Sequence, residues 1–537
     1  MDRPLLVSSL IEHAARYFGD TEIVSRTVEG PIHRYTYADA GKRAKRVANL
    51  LKRLGMKPGD RIGTLGWNGF RHFELYYGIS GVGMVCHTIN PRLFTDQITY
   101  IVNHAGDRLL FVDLTFVPLV EKLIGDLKPV EAVVIMTDRA HMPTTTLPKA
   151  LCYEDLLAEE SDALEWPLLD ENTASSLCYT SGTTGNPKGA LYSHRSTLLH
   201  AMVTALSMEM TNRDVVCPIV PMFHVNAWAV PYLAPLVGAK LVLPGPALDG
   251  PSLHALFEAE GVTCTSGVPT VWLGLLRHME EAGQRFSTLN RLLVGGSAVP
   301  LAMLKTFEET YGVRAVHGWG MTEMSPVGSL VMLSGKLLEL SKEQQYEIKI
   351  KQGRALFGVD MKIVDADGHA VPHDGVSRGE LLVRGPWVIS AYFDDAAGTK
   401  AAFDDHGWFR TGDVATICPK GFMQVVDRHK DVIKSGGEWI SSIDIENMMM
   451  GHPDVAEAAV IGLPHPKWDE RPLLVVVAKQ GRTPTREALL AFLAERMAKW
   501  MVPDDVAFVA ELPHTATGKL QKTRLRAQFR DYKLPTA

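Results

Sequence analysis

Thr180-Ser181-Gly182-Thr183-Thr184-Gly185-Asn186-Pro187-Lys188-Gly189 decides how this chain is read. Four hydroxyls, three glycines and one lysine share a single loop. Glycines let a backbone come close to an anion, and successive N–H groups and hydroxyls can then wrap its oxygens. Lys188 adds a point charge. The loop is a polyphosphate cradle and argues for ATP, but it is not a Walker A loop. That motif reads G-x-x-x-x-G-K-[ST]. Here Pro187 precedes Lys188, and Gly189 stands where a magnesium-binding Ser or Thr would be. Similar residues also build plain surface turns, so the neighbouring segments matter as much as the loop.

The cradle follows an apolar run, Ser176–Tyr179, and a second glycine-rich loop follows another, Leu292–Val294. With Leu109–Val112 and Ala132–Ile135, these runs alternate with amphipathic helical stretches. That is the pattern of an α/β fold with largely parallel sheets, where ligands sit beyond the carboxyl ends of strands. After about residue 350 the texture changes. Short runs such as Gly379–Val383 and Phe422–Val426 lie between Gly, Asp and Pro turns, which predicts antiparallel β structure. From about 430 to the end, the alternation predicts a small α+β module.

The chain has 537 residues, more than one ordinary core requires. It is 46% hydrophobic and 22% charged, as soluble globular proteins are. A net charge of −6 without a long basic run speaks against nucleic acid as a partner. No stretch approaches about 18 uninterrupted apolar residues, so no transmembrane segment is expected. The N-terminus lacks the charged start and apolar middle of a signal peptide. Six scattered cysteines without a C-x-x-C pair fit reduced thiols in a cytoplasmic protein better than zinc or disulfides.

Five clusters join the cradle. Pro221-Met222-Phe223-His224-Val225-Asn226-Ala227-Trp228 sets aromatics beside one imidazole, the makings of an acyl pocket with Trp228 as its lid. In Gly295-Gly296-Ser297-Ala298, small residues leave room for an adenine ring on the backbone. In His317-Gly318-Trp319-Gly320-Met321-Thr322-Glu323, Thr322 can bond a phosphate and Glu323 is a hard oxygen ligand suited to Mg²⁺. The segment from Tyr392 ends in Thr411-Gly412-Asp413, an acid after a tight turn that can accept from two ribose hydroxyls. Asp427 through Trp439 is densely charged with glycines behind it, and Thr515-Ala516-Thr517-Gly518-Lys519 is a small-residue turn presenting a lysine. Taken singly, most of these also read as core aromatics, a helix start or a solvated linker.

In this order, the set resembles the AMP-forming acyl-CoA synthetases of the adenylate-forming superfamily, over essentially the whole chain. The pairing of Phe223-His224 and Trp228 with Glu438-Trp439-Ile440-Ser441-Ser442 is similar to the fatty acyl-CoA synthetase branch, which methylmercaptopropionate-CoA ligases share. The resemblance implies an α/β fold: a large N-terminal domain, 1–427, of two α/β subdomains and a small β-barrel, and a smaller mobile α+β C-terminal domain, 428–537. It implies ATP and Mg²⁺ as cofactors, CoA as co-substrate, a carboxylic acid as substrate and a homodimer.

The resemblance also implies roles for single residues. Thr180, Ser181, Gly182, Thr183, Thr184, Gly185 and Lys188 wrap the phosphates, with Thr322 nearby. Thr180 and Glu323 hold Mg²⁺. Gly295, Gly296, His317, Gly318 and Trp319 line the adenine, and Asp413 and Arg428 bind the ribose. Lys430, at the hinge, Lys434 and Trp439 complete the nucleotide set. Trp228 gates the acyl tunnel. Gly436, Gly437 and Glu438 line the path of the incoming substrate. Lys519 is the adenylation lysine, in a catalytic set with Glu323, Thr180 and His224. Trp319 departs from the Tyr many relatives carry there, and its bulk is expected to narrow the acyl pocket. The implied function is an ATP-dependent acid–CoA ligase for a medium- or long-chain fatty acid. Alternatives are 3-methylmercaptopropionate or another short or aryl acid, an adenylating enzyme that loads a carrier protein, a luciferase-like oxygenase, and a degenerate nucleotide sensor.

Overall fold

Short aliphatic runs such as LLFV at Leu109–Val112 and AVVI at Ala132–Ile135 form strands that are buried on both faces. Strands of this kind are covered by helices on either side, as in parallel sheets. The computed structural model describes residues 2–180, 186–428, 430–436, 438–514 and 520–537. Two large sheets dominate it. In the first, Ala150–Cys152, Ala132–Ile135, Leu109–Val112, Arg61–Leu65, Val85–Thr88 and Ala174–Tyr179 run parallel in that spatial order. Gly189–Ser193 then pairs antiparallel with Ala174–Tyr179 at the edge.

The second sheet has a parallel centre of Arg314–Gly320, Arg291–Val294, Cys264–Gly267, Val215–Pro218, Lys240–Leu243 and Glu22–Arg26. Antiparallel strands flank it at both edges. The helix Phe70–Ser80 lies in the core that joins the sheets, and Phe73, Leu75, Tyr76, Tyr77 and Ile79 on it are fully buried. Every residue of it but Arg71 is buried, as in a helix that runs through the interior. Its one acid, Glu74, is bonded by Arg43 Nε at 2.7 Å and by the Tyr153 hydroxyl at 2.8 Å.

The small β unit takes the form of a four-stranded antiparallel sheet: Asp360–Val364, Gly379–Arg384, Phe409–Ile417 and Met423–Arg428. A separate C-terminal sheet comes next, with Ile433–Ser435, Glu438–Ile440, Val455–His465 and Asp469–Ala478 antiparallel and Asp505–Phe508 added in parallel. Ile433, Ile445, Val460, Leu474, Leu489 and Leu493 form its core with the helices Ser442–Met449 and Arg486–Ala494.

A buried polar network ties this C-terminal unit to the last strand before it. Asp427, near the end of that strand, accepts from Ser442 N at 2.8 Å. Lys522 Nζ stands 2.7 Å from Glu446 Oε1 and 2.5 Å from Ser442 Oγ. Glu446 also accepts from Val460 N at 2.7 Å. Burial pushes the Glu446 carboxyl up to about 7 against the pull of Lys522. Around the network, Arg526 pairs with Asp431 at 2.8 Å, Arg378 Nη1 donates to the Trp439 carbonyl at 2.8 Å, and Trp439 packs on Val414, Val426 and Val432. Removing one partner of a buried pair leaves the other charge uncompensated, which costs about 3–5 kcal/mol. Lys522→Met should therefore lower the urea midpoint of the C-terminal transition, and adding Glu446→Leu should restore most of it. A midpoint unchanged by Lys522→Met refutes the network as a fastening.

Candidate active site

All parallel neighbours point their carboxyl ends the same way, so the segments leaving those ends collect in one place. The cavity there measures about 990 Å³. The ends of Val215–Pro218, Cys264–Gly267 and Arg291–Val294 deliver Ile219–Pro221, Val268 and Gly295–Ala298 to it, and Arg314–Gly320 delivers His317–Gly320. Met321, Thr322 and Glu323 come directly after. From the other large sheet come Thr180 and Asn186–Gly189. The four-stranded sheet adds Asp413 and Arg428, and Lys430 completes that side.

The strands that flank the expected phosphate loop pair antiparallel, with Tyr179 opposite Gly189. A rung closes its base: Thr180 N donates to Lys188 O at 2.9 Å, and Lys188 N donates to Thr180 Oγ1 at 3.1 Å. Ser181, Gly182, Thr183, Thr184 and Gly185 lie outside the described residues, as do Gly437 and Lys519. The Lys188 ammonium stands 4.8 Å from the centre of the Tyr392 ring, and the Tyr392 hydroxyl donates to Glu323 Oε1 at 2.8 Å. Tyr392 thus links the loop lysine to the acid, a role that sequence reasoning does not assign. Its only signal is its place at the head of the fourth cluster. Glu323 is 8% exposed and Thr180 shares its cavity, so a carboxylate and a hydroxyl, both hard oxygen donors, stand in one place.

Asp413 and Arg428, expected at the nucleoside, are directly opposed across two antiparallel strands, with Nε 3.7 Å from Oδ1. The other carboxylate oxygen of Asp413 accepts from Trp319 Nε1 at 2.8 Å. Trp319 therefore does more than fill space: its N–H holds the Asp413 carboxylate in one orientation. His317 is 1% exposed, and neither ring nitrogen makes a full hydrogen bond among the described residues, with the backbone of 349–351 alongside. Burial pushes the imidazole down to about 4, so it is neutral at physiological pH and can both give and accept a hydrogen bond. Gly295 must be glycine, since a Cβ there would lie 2.6 Å from the Gly318 carbonyl oxygen. Gly296 beside it has φ +85°.

On the remaining side, Asn68 anchors the aromatic segment: its Nδ2 donates to Pro218 O at 2.8 Å and Val220 O at 2.9 Å, and its Oδ1 accepts from Met222 N at 2.6 Å. His224 and Trp228 both line the cavity, Trp228 at 9% exposure. Val220, Val225, Val268, Leu293 and Val327 make this limb apolar. Four expected residues, Lys434, Gly436, Glu438 and Trp439, do not line the cavity. They sit on a hairpin of the C-terminal sheet. There the Trp439 ring is occupied by its valine cluster, and the Trp468 ring covers Gly436 within 2.8 Å of a Cβ position.

The AMP-binding enzyme family model matches residues 11–393, and the model of its C-terminal domain matches residues 444–519. The chain is 52% identical to the 3-methylmercaptopropionyl-CoA ligase of Ruegeria lacuscaerulensis, over 99% of this chain and 98% of that protein. It is 48% identical to the medium-chain-fatty-acid–CoA ligase of Ectopseudomonas oleovorans, over 99% and 97%. Among solved structures, the anthranilate CoA ligase AuaEII in complex with anthranoyl-AMP is similar at a TM-score of 0.87 and 25% identity, covering 97% of each chain. No helix among the described residues is long and apolar enough to cross a membrane.

The indole–carboxylate bond can be tested by itself. Trp319→Phe keeps an aromatic wall and removes the N–H. Hydrogen bonds to charged groups contribute about 1.5–3 kcal/mol, so KM for ATP in pyrophosphate exchange should rise roughly ten-fold. KM for the acid should stay near that of the unsubstituted protein. An unchanged KM for ATP shows that Asp413 needs no support from Trp319.

Proposed function

Because this chain belongs to the AMP-binding enzyme family, we propose that the acid it activates is a medium- or long-chain fatty acid. It is an AMP-forming acid–CoA ligase that uses ATP. The observation that carries the choice of acid is the apolar part of the cavity lining: Val220, Val225 and Leu293 cluster with Trp228, and Val268 packs against them, in the same cavity as Thr180, Lys188, Glu323, Asp413 and Arg428. Such a cavity accommodates both halves of an acyl-adenylate at once.

The chemistry has two steps. A carboxylate is a poor acyl donor because oxide is a poor leaving group. Its oxygen attacks the α-phosphorus of ATP, the bond to the β-phosphate oxygen breaks, and pyrophosphate departs. Two anions meet in that transition state, so positioning and fixed positive charge supply most of the acceleration. Lys188 from the loop and Lys519 from the C-terminal turn are the cations assigned to this work, and His224 stands beside the acid. Thr180 and Glu323 would hold Mg²⁺, whose charge offsets that of the phosphates. The CoA thiolate then attacks the acyl carbonyl, the new C–S bond forms, and AMP leaves with the electrons of the C–O bond.

We place the domain boundary between 427 and 428, where one sheet ends at Arg428 and the next begins at Ile433. The C-terminal domain turns about Lys430 so that Lys519 serves adenylation, while Gly436, Gly437 and Glu438 serve thioester formation with Lys434 and Trp439. Resemblance alone supports that second pose and a homodimer. The six free cysteines are consistent with a cytoplasmic enzyme. A second reading takes 3-methylmercaptopropionate as the acid; the 52% identical relative favours it, as does the bulk of the two indoles, Trp228 and Trp319, that line the cavity.

AMP release with ATP, Mg²⁺ and CoA, measured over acids from acetate to palmitate with 3-methylmercaptopropionate and cinnamate, decides between them. An optimum at eight or more carbons, on the order of a hundred-fold over acetate, is expected for the fatty-acid reading. An optimum at the thioether acid replaces it. Lys519→Ala should abolish pyrophosphate exchange and leave thioester formation from supplied acyl-AMP within about three-fold. Equal loss in both half-reactions removes Lys519 from the adenylation role.

A further inference from the structure

Five consecutive residues without a glycine, Val225 through Ala229, have positive φ between 46° and 65°. Asn226, Ala227 and Trp228 have nearly identical angles, with ψ between 39° and 41°, so the run is a left-handed turn. For L-residues this is the wrong hand, because each Cβ crowds the following carbonyl oxygen. The sterically preferred alternative lies next door. The right-handed helix Val230–Val237 begins at the following residue and, continued backwards, would carry Trp228 to another direction.

Something must hold the run left-handed, and apolar Val225, Ala227 and Ala229 have no directional side-chain bonds to offer. Asn226 does. It is 2% exposed, its Nδ2 donates to Ser176 Oγ at 2.8 Å, and its Oδ1 accepts from Cys178 Sγ at 3.4 Å. Ser176 and Cys178 are two apart on the strand Ala174–Tyr179 and so share one face of it. That strand leads directly into Thr180. Asn is also the side chain, after glycine, that best tolerates this backbone region. Two residues on, Trp228 reaches into the cavity, 3.5 Å from where a Cβ on Gly295 would stand.

We propose that Asn226 is a positioning residue for the acid. By fastening the left-handed turn to the strand of the phosphate loop, it sets where the Trp228 ring stands and hence which acids the apolar limb admits. The inference rests on the acid–CoA ligase reading and adds a residue that is not part of the cavity lining.

The test compares kcat/KM for the longest and shortest acids that the unsubstituted enzyme accepts, alongside KM for ATP in pyrophosphate exchange. Asn226→Ala removes both side-chain bonds and the tolerance for positive φ. Asn226→Gly removes the bonds but keeps the backbone free to stay left-handed. Ser176→Ala removes one bond from the strand side. Each should change the long-to-short ratio by roughly five-fold or more and leave KM for ATP within about two-fold. In a Trp228→Ala background, Asn226→Gly should add no further change, since the effect passes through that ring. Lower thermal stability with an unaltered ratio in all three variants overturns the proposal, as does a shift that persists without Trp228. If the unsubstituted enzyme makes no AMP with any acid, the ligase reading fails; if it is active and the variants match it, only this inference fails.

Discussion

The common direction of the parallel strands is the constraint on which the site depends. A strand and its parallel neighbour end at the same edge, so segments far apart in sequence emerge side by side. The exits after Pro218, Gly267 and Val294 need no other device to meet. The first large sheet then brings its own edge strand pair to the opposite wall, where two hydrogen bonds join Thr180 to Lys188. The buried helix Phe70–Ser80 and the Asn68 amide, which bonds three backbone groups of 218–222, keep the two halves in one relation.

Within the cavity, polar groups are shared rather than isolated. Asp413 is supported from two sides, by Arg428 across the strand pair and by the Trp319 indole. Glu323 is joined to Lys188 through a single phenol, Tyr392. Such linked groups hold their orientation before any ligand arrives, which is the condition for electrostatic stabilisation of a transition state. His317 is the exception: a buried, neutral imidazole whose nitrogens lack full partners among the described residues.

The C-terminal unit is fastened by charge rather than by apolar area alone. Asp427, Ser442, Glu446 and Lys522 form a closed set at its boundary with the rest of the chain. An interface built of paired polar groups is specific in geometry yet can be exchanged for water when it opens, whereas a large apolar face cannot. That property suits a domain whose proposed work requires two poses.

Much was legible without the structure. The runs 109–112 and 132–135 are strands at those bounds, and the runs at 176–179 and 292–294 are strands that begin slightly earlier. Local hydrophobic pattern and turn chemistry suffice for that, because they act over a few residues. The chemistry expected of 180–189 and of the acid at 323 came from residue type, which limits what a short segment can bind, whereas Asp413 and Arg428 were grouped only by the resemblance. Contact between distant segments was not visible. Trp319 reads as bulk in the sequence, with no sign of its bond to Asp413, ninety-four residues on. Asn226 stands inside a motif there, without the Ser176 and Cys178 partners that make a left-handed turn tenable. Lys434 and Trp439 group with the nucleotide residues by resemblance, while the packing of Trp439 on Val414, Val426 and Val432 sets that hairpin apart from the cavity. The sequence by itself determined the strands, the loops and the chemistry each can offer, since these depend on neighbours along the chain. Only the tertiary structure decided which of those groups share a cavity and which hold one another in place, because that depends on packing across sheets and between domains.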